Sequence, residues 1–150
     1  MVIEIDSPTV VFENTAGTAK ILHHPLERTF EIALIGKIDQ ADYQEAFLTY
    51  LELTESRGYQ IALFNNSHLE EDTMQSRAWF IANFLPRSMK RIRSIHYRAA
   101  VVAPINRFQR MITEMVAKGA RALGKPMTVE FFDSTTDALR WLASAPSPAN

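Results

Sequence analysis

The fold is decided between Asp39 and Phe64, where the sequence reads DQADYQEAFLTYLELTESRGYQIALF. Apolar residues first recur at spacings of three and four, from Tyr43 to Leu51, and this pattern predicts an amphipathic helix. Asp39 suits the N-terminus of that helix, and Gly58 suits its C-cap. The pattern then changes to the continuous apolar run from Ile61 to Phe64, which is typical of a strand covered on both faces. A helix that leads directly into a buried strand predicts an α/β protein.

Two shorter runs before this stretch predict a β-hairpin. Residues Thr18 to His23 and Thr29 to Ile35 are rich in β-branched and aromatic side chains, as strands are. The five residues between them, His24 to Arg28, include a proline and read as a hairpin connection. We therefore expect two antiparallel strands, with Val10 to Phe12 as a further strand at their edge.

Helices and strands alternate regularly after the stretch. The first is a helix that Pro86 kinks or ends, with an apolar face made of Met74, Ala78, Trp79, Ala82 and Leu85. A buried strand at Arg98 to Ala103 follows, and then a helix with an apolar face from Phe108 to Leu123. The last two elements are a strand at Thr128 to Phe132 and a short helix opened by the capping box Ser134 to Asp137. Each strand-helix-strand unit should cross over with a right hand and pair its strands in parallel. The prediction is an α/β fold with a single mixed β-sheet, in which an N-terminal antiparallel hairpin is followed by β-α units. Residues 1–143 are expected to form one domain, and residues 144–150 a disordered tail.

Composition is that of an ordinary globular protein, with 47% hydrophobic and 22% charged residues in 150. There is no cysteine, which excludes disulfides, thiolate metal sites and cysteine nucleophiles. The chain starts with acidic residues where a signal peptide would be basic, and it lacks the roughly 18-residue apolar run that a membrane span needs. We therefore expect a cytoplasmic protein with no membrane insertion, no cofactor and no metal.

Charge is distributed unevenly along the chain. Residues 1–75 carry 4 basic and 13 acidic side chains, whereas residues 76–150 carry 12 basic and 4 acidic ones. The densest basic cluster contains Arg87, Lys90, Arg91, Arg93 and Arg98. Lys90, Arg91 and Arg93 are candidates for binding an anion, such as an acidic lipid headgroup or an acidic protein. The pI of about 6.4 and the lack of a nucleic-acid-binding motif favour a solvated basic loop, and we expect no nucleic acid partner.

The polar run from Asn65 to Asp72 follows a predicted central strand, at the edge of the sheet where α/β proteins bind their ligands. Ser67 and His68 are candidate ligand-binding residues, and His68 with Glu70 or Asp72 offers an acid/base pair or two metal ligands. No second histidine stands at metal-binding spacing, and a polar loop that caps a helix has the same composition. His23 and His24 are adjacent on a strand, so they face opposite sides and are interpreted as structural.

Four pieces of the sequence carry a family resemblance. They are the hairpin ending in Gly36, the helix from Asp39 to Arg57, the passage from Trp79 to Arg87, and the closing run from Phe131 to Leu142. From about Lys20 to Ala143 the chain resembles the STAS-like domains, which have the anti-sigma-factor-antagonist fold, and uncharacterised bacterial proteins that share this topology and that of CRAL-TRIO lipid carriers. In regulatory STAS proteins a phosphorylatable serine follows an aspartate at the start of a helix.

The corresponding residues in this chain are Asp72 and Thr73, with Ser76 one turn later. The resemblance implies that Thr73 or Ser76 is a phosphorylation candidate, although Met74 to Arg77 replaces the glycine-containing motif of the family. Helix capping is the simpler explanation of a threonine at this position.

The resemblance favours a non-enzymatic STAS-like module that regulates by binding a protein partner. The alternatives are a carrier or sensor of a small apolar or anionic ligand and, less favoured, an enzyme that uses the loop at residues 65–72. We also expect a homodimer. Trp79 points to one side of its predicted helix and Phe80 and Phe84 to another, so the two phenylalanines would lie in water unless a second copy, or the chain's own segment from Val2 to Phe12, covered them. The candidate interface consists of Trp79, Phe80, Phe84 and the adjacent Arg87.

Overall fold

One mixed β-sheet of six strands, arranged in chain order, forms the centre of the molecule. The computed structural model describes residues 7–91, 97–122 and 127–144. Over those residues the strands are β1 (Thr9–Glu13), β2 (Ala19–His24), β3 (Thr29–Lys37), β4 (Ile61–Glu71), β5 (Tyr97–Val102) and β6 (Met127–Phe132). Strands β1, β2 and β3 pair antiparallel, whereas β3 to β6 pair in parallel. The predicted mixed sheet is confirmed. The predicted disordered tail lies, from residue 145 on, outside the described residues.

The helices are α1 (Gln40–Arg57), α2 (Met74–Trp79), a π-helix (Phe80–Phe84), α3 (Leu85–Arg91), α4 (Arg107–Arg121) and α5 (Thr135–Ala143). The predicted caps of α1 are confirmed. The Asp39 carboxylate accepts the Asp42 backbone N–H at 2.8 Å, and Gly58 ends the helix at φ 68°, where glycine carries no steric penalty.

The two faces of the sheet are covered by different helices. Helix α1, the π-helix and α4 contribute Phe47, Phe80 and Ala117 to the larger core, which we call the α1 face. Helix α5 packs Ala138 and Leu142 on the opposite face, which we call the α5 face. Because neighbouring residues of a strand point to opposite sides, β4, β5 and β6 each contribute to both cores, whereas β2 and β3 contribute apolar residues to the core of the α1 face.

Phe80 and Phe84 belong to the core of the α1 face. Phe84 is 2% exposed and Phe80 is 8% exposed. Both rings meet the ring of Phe47 edge-on, at 5.1 Å between centroids. The expectation that these phenylalanines lie in water is therefore wrong. The dimer through this helix stays a prediction, but it has lost the argument on which it was based.

The predicted apolar face of the second helix is correct at Leu85 and wrong at Met74, Ala78 and Ala82. Its buried residues are Ser76, Phe80, Phe84, Leu85 and Ser88, whereas Met74, Ala78 and Ala82 are exposed. Residues four apart drift by about 40° per step around an α-helix, so a row at this spacing would normally leave the sheet. The π-helix holds more residues in its turn and keeps the row on one side.

Pro86 does not end this helix, which continues as α3 to Arg91. The π-helix lies directly before the proline, and the Leu85 backbone N–H donates to Phe80 O, five residues back. Proline has no N–H to donate to the preceding turn, so the regular hydrogen bonding of the helix is interrupted at Pro86. The π-helix lies at this interruption.

Strand β4 extends through most of the run that was predicted to be a polar loop. Its pairing with β5 ends at Asn65, opposite Val102. Beyond that point β4 continues beside β3 alone, with His68 opposite Ile35. The backbone bonds to β3 hold these polar residues in a strand. Because β5 no longer pairs with β4 here, the other edge of β4 is accessible to water.

Arg98 lies beneath α5 and is not part of an exposed basic cluster. It is 7% exposed, and its guanidinium carbon stands 3.9 Å from the centre of the Trp141 ring. Its Nη2 donates to Trp141 O at 2.6 Å. Lys90 is exposed as expected, whereas Arg93 and the side chain of Arg91 lie outside the described residues.

Candidate functional site

Two hydroxyl side chains meet at the N-terminus of α2. Thr73 is the N-cap, with extended backbone, and its Oγ1 accepts the Ser76 backbone N–H at 2.9 Å. The same hydroxyl donates to Ser76 Oγ at 2.8 Å. Ser76 is fully buried. Thr73 therefore performs the capping role that its position predicts, and its donor and acceptor capacities are both in use.

Asp72, the residue before the cap, joins three elements. Its carboxylate forms an ion pair with Arg77 of α2, and its side chain lies beside Gln109 of α4. Burial raises the pKa of Asp72, and the Arg77 guanidinium opposes this increase without cancelling it. The contact with Gln109 places the first turn of α4 beside the start of α2. Asp72 is thus engaged in structure and is not paired with His68.

Large apolar side chains are exposed around this junction. Met74 (73% exposed) lies in the first turn of α2, and the residues that we call the apolar patch lie on α4 and just before it: Ile105 (84%), Phe108 (62%), Met111 (49%) and Met115 (62%). The last three follow one another along α4 at spacings of three and four, so they form one stripe. Ala117 is buried on the side of α4 that faces the sheet. The apolar face that was predicted from Phe108 to Leu123 is therefore divided between core and solvent, and Leu123 itself lies outside the described residues.

Basic side chains border the patch. Helix α4 carries Arg107, Arg110, Lys118 and Arg121 against one acidic residue, Glu114. Arg110 Nη2 contacts Asp133 Oδ1 at 3.2 Å between two exposed side chains, a pairing that water and salt weaken. The patch is thus an apolar stripe with a positively charged border.

The remaining sequence candidates do not join this junction. His68 is exposed on β4. Ser67 Oγ donates to Asn65 Oδ1 at 2.7 Å, on the α5 face. Trp79 is half-buried, with its ring edge-on to Tyr43 at 6.3 Å, and Arg87 is exposed on α3. In the described part of the chain there is no group of three histidine, aspartate or glutamate side chains that could hold a metal ion.

A buried polar network on the α5 face was not predicted. His24 Nε2 donates to Glu31 Oε1 at 2.7 Å, and Asn65 Nδ2 donates to Glu31 Oε2 at 2.8 Å. Asn65 also lies 3.4 Å from the Thr135 hydroxyl at the start of α5. Burial raises the pKa of Glu31, but the hydrogen bonds from His24 and Asn65 outweigh burial and lower it overall. The only sign of this network in the sequence is a glutamate inside an apolar strand. Its partners lie on other strands, so the sequence around Glu31 does not identify them.

His23 points to the α1 face, as its position next to His24 predicts. Its ring stacks on Phe30 at 4.7 Å, and its Nε2 lies 2.8 Å from the Tyr59 hydroxyl. Burial lowers the pKa of His23, and the nearby Arg57 adds to this effect. The structural interpretation of both histidines agrees with these contacts.

Two solved structures resemble the chain over nearly its whole length. One is an uncharacterised DUF3478-family protein with a SpoIIAA-like fold from Shewanella loihica PV-4, with a TM-score of 0.51, 17% identity, and 95% of this chain and 98% of that chain covered. The other is the anti-sigma factor antagonist SpoIIAA in its unphosphorylated form, with a TM-score of 0.55, 11% identity, and 93% of this chain and 100% of that chain covered. The chain has a STAS-like fold. This similarity extends to the order of strands and helices, and at such low identity it concerns the fold alone.

Comparisons of sequence add no family. No protein-family model matches the chain, and no curated protein matches it. None of the helices in the described ranges combines the length and the hydropathy that a membrane crossing requires.

Proposed function

We propose that this STAS-like domain is a non-enzymatic regulatory module that binds a partner protein through the apolar patch. The single observation that carries the proposal is the exposure of Ile105, Phe108, Met111 and Met115 along α4 and directly before it. Isolated apolar side chains are common on protein surfaces, but a contiguous stripe with a polar border is typical of a binding site.

The chemistry of the patch suggests the kind of partner. Methionine side chains are flexible and polarizable, so they adapt to varied apolar surfaces, and Phe108 supplies one rigid aromatic anchor. Arg107, Arg110 and Lys118 would favour a partner with acidic residues around an apolar centre. An amphipathic acidic helix that packs along α4 satisfies both requirements.

The proposal does not require phosphorylation. A phosphate on Thr73 would remove the hydrogen that Thr73 donates to the Ser76 hydroxyl, and it would stand beside the carboxylates of Glu71 and Asp72. Ser76 is fully buried, so a kinase would not reach it in the folded protein. We therefore assign Thr73 to capping, and the patch beside it to partner binding.

A homodimer is compatible with this proposal through a surface other than Phe80 and Phe84. Since both rings are in the core, the apolar patch is the surface that we propose for a dimer. Light scattering at high micromolar concentration tests this point. A monomer at that concentration contradicts the dimer and leaves the patch free for a different protein.

The decisive experiment is photo-crosslinking in the native host. A photo-reactive amino acid is placed at Phe108 and, as a control, at Glu52, which is exposed on α1. We expect one covalently bound protein from position 108 and none from position 52. That protein, once identified and purified, should bind the unmodified chain and lose affinity by at least about tenfold with Met111→Glu.

The matched control for Met111→Glu is Lys37→Glu, which adds a glutamate to an exposed position at the end of β3. This control should bind normally. Equal crosslinking from both positions, or equal binding by Met111→Glu and the unmodified protein, would contradict the proposal. A crosslink between two copies of the chain would show that the patch binds a second copy and not a different protein.

A further inference from the structure

An open cavity of about 320 Å³ lies at the end of the sheet opposite Thr73. Its lining includes Ala62 at the start of β4, Tyr97 as the first residue of β5, and the Gly58 to Gln60 connection that leads into β4. Thr73, by contrast, follows the last residue of β4. Since β4 and β5 are parallel, the cavity occupies their amino ends, and we call it the amino-end cavity.

The wall of this cavity is mostly aromatic. Rings of Tyr50, Tyr59, Phe84 and Tyr97 line it, together with the aliphatic side chains of Leu51 and Ala62. Tyr50, Phe84 and Tyr97 are buried members of the α1-face core, and burial raises the pKa of Tyr97. These rings are therefore uncharged and held in place by packing, as the wall of a preformed ligand site should be.

Most polar groups in the lining already serve the fold. The Tyr50 hydroxyl donates to Phe30 O at 2.8 Å and accepts the Leu63 N–H at 3.1 Å. The Ser88 hydroxyl donates to Leu85 O at 2.9 Å, and the Thr54 hydroxyl donates to Tyr50 O at 2.8 Å. The hydroxyl groups of Tyr50, Ser88 and Thr54 thus have hydrogen-bond partners within the protein. A charged ligand would have to be recognised by another residue of the lining.

Lys90 is that residue. It is exposed at the edge of the cavity and forms no hydrogen bond or ion pair with any residue of the described ranges. Glu55, the acidic side chain in the lining, is engaged in an interaction of its own. An ammonium group beside aromatic rings is suited to a ligand that combines a flat ring with an anionic group.

From this arrangement we infer that the amino-end cavity binds a small aromatic anion, with its ring against Phe84 and Tyr97 and its acidic group at Lys90. The volume is at the lower end of the roughly 300 to 1,000 Å³ typical of ligand sites, so the ligand is a compact aromatic molecule of at most about three rings and is not a long acyl chain. The site lies at the other end of the sheet from the apolar patch, and it stands independently of the proposed function.

The test uses 8-anilinonaphthalene-1-sulfonate, a fluorescent aromatic anion, titrated into the full chain. We expect saturable binding of one molecule, with affinity reduced about tenfold by Lys90→Glu. Lys37→Glu makes the same change of charge at the far end of the sheet and should have no effect. N-phenyl-1-naphthylamine, which lacks the sulfonate, should bind more weakly and should not respond to Lys90→Glu.

Two further measurements locate the probe. Thr54→Phe projects a ring into the cavity from a half-buried position and should abolish binding, whereas Phe108→Ser in the apolar patch should leave it unchanged. In the unmodified protein, nuclear Overhauser contacts should join probe protons to the rings of Phe84 and Tyr97, which requires no variant to fold. Contacts to Phe108 instead, loss of binding in Phe108→Ser, or equal affinity in Lys90→Glu would overturn the assignment.

Discussion

The rings of Phe80 and Phe84 stack at 4.8 Å with an angle of 19° between their planes, inside the core of the α1 face. Stacked and edge-on contacts of this kind add to the free energy of burial. Phe84→Ala should therefore lower the free energy of unfolding by about 3 to 5 kcal/mol, as large-to-small changes of a buried phenylalanine do. The control Phe108→Ala removes an exposed ring and should change stability by less than about 0.5 kcal/mol. Urea unfolding measures both variants, and equal losses would contradict this account of the core.

Replacing both stacked rings by glutamate separates a core from an interface. Phe80→Glu with Phe84→Glu puts two carboxylates into the apolar core, where they have no partner, so the chain should not fold. Circular dichroism checks this outcome. A folded monomer would instead mean that the two rings face a second copy of the chain.

Thr73→Ala should lower the free energy of unfolding by about 0.5 to 2 kcal/mol, since it removes the oxygen that accepts the Ser76 N–H. Thr73→Ser and Thr73→Asp keep an acceptor at the cap and should be nearly neutral. Thr136→Ala, at an exposed position in α5, serves as the control for loss of a threonine. Stoichiometric phosphothreonine at Thr73 in cells would contradict a purely structural role.

Glu31→Gln should make stability less dependent on pH. The folded state holds the pKa of Glu31 below its usual value, so the stability contributed by this carboxylate is present above about pH 4.3 and is lost as pH falls through the lowered pKa. At pH 7 the variant should be less stable by about 1 to 3 kcal/mol, because the bonds from His24 and Asn65 lose a charged acceptor.

The gap between the two proteins should therefore shrink on acidification below about pH 4.3. Chemical denaturation from pH 7 to pH 3 follows it. The control Glu52→Gln changes an exposed residue of α1 and should reproduce the unmodified profile. A gap of constant size across this range would show that Glu31 does not titrate as its contacts imply.

The purified protein should contain far less than one tightly bound zinc ion per chain. The chain has no cysteine, and its described residues contain no cluster of three potential ligands. Elemental analysis measures this directly. One stoichiometric zinc ion per chain would contradict this prediction and would require a set of ligands other than those considered above.

Local signals were sufficient to predict most of the architecture. The hairpin and α1 depend on turn residues, caps and periodicity close together in sequence, and α1 begins and ends next to the predicted Asp39 and Gly58. The extension of β4 to Glu71 could not be predicted, because bonds to β3 hold a polar sequence whose composition favours a loop.

The candidate site divides in the same way. Capping by Thr73 is a local effect and was predicted, whereas the exposure of Phe108 and Met111 depends on which side of α4 meets the sheet. The apolar residues of α4 cover a wider arc of the helix than packing against the sheet requires. The sequence alone therefore does not tell which of them are buried. A period of 3.6 residues assigns Phe80 and Phe84 to the wrong side of the helix, because these two residues lie in a π-helix, whose turn holds more residues.

The chain-order arrangement of β1 to β6 has a consequence for folding during synthesis. Each new strand emerging from the ribosome joins the free edge of a sheet that already exists, and no strand has to insert between two earlier ones. Each strand pairs only with its neighbours in sequence, so the N-terminal hairpin of β2 and β3 can form before the later strands are synthesised. Pulse-labelled hydrogen exchange should find the amides of β2 and β3 protected before those of β6. Simultaneous protection of all strands would rule out such vectorial growth.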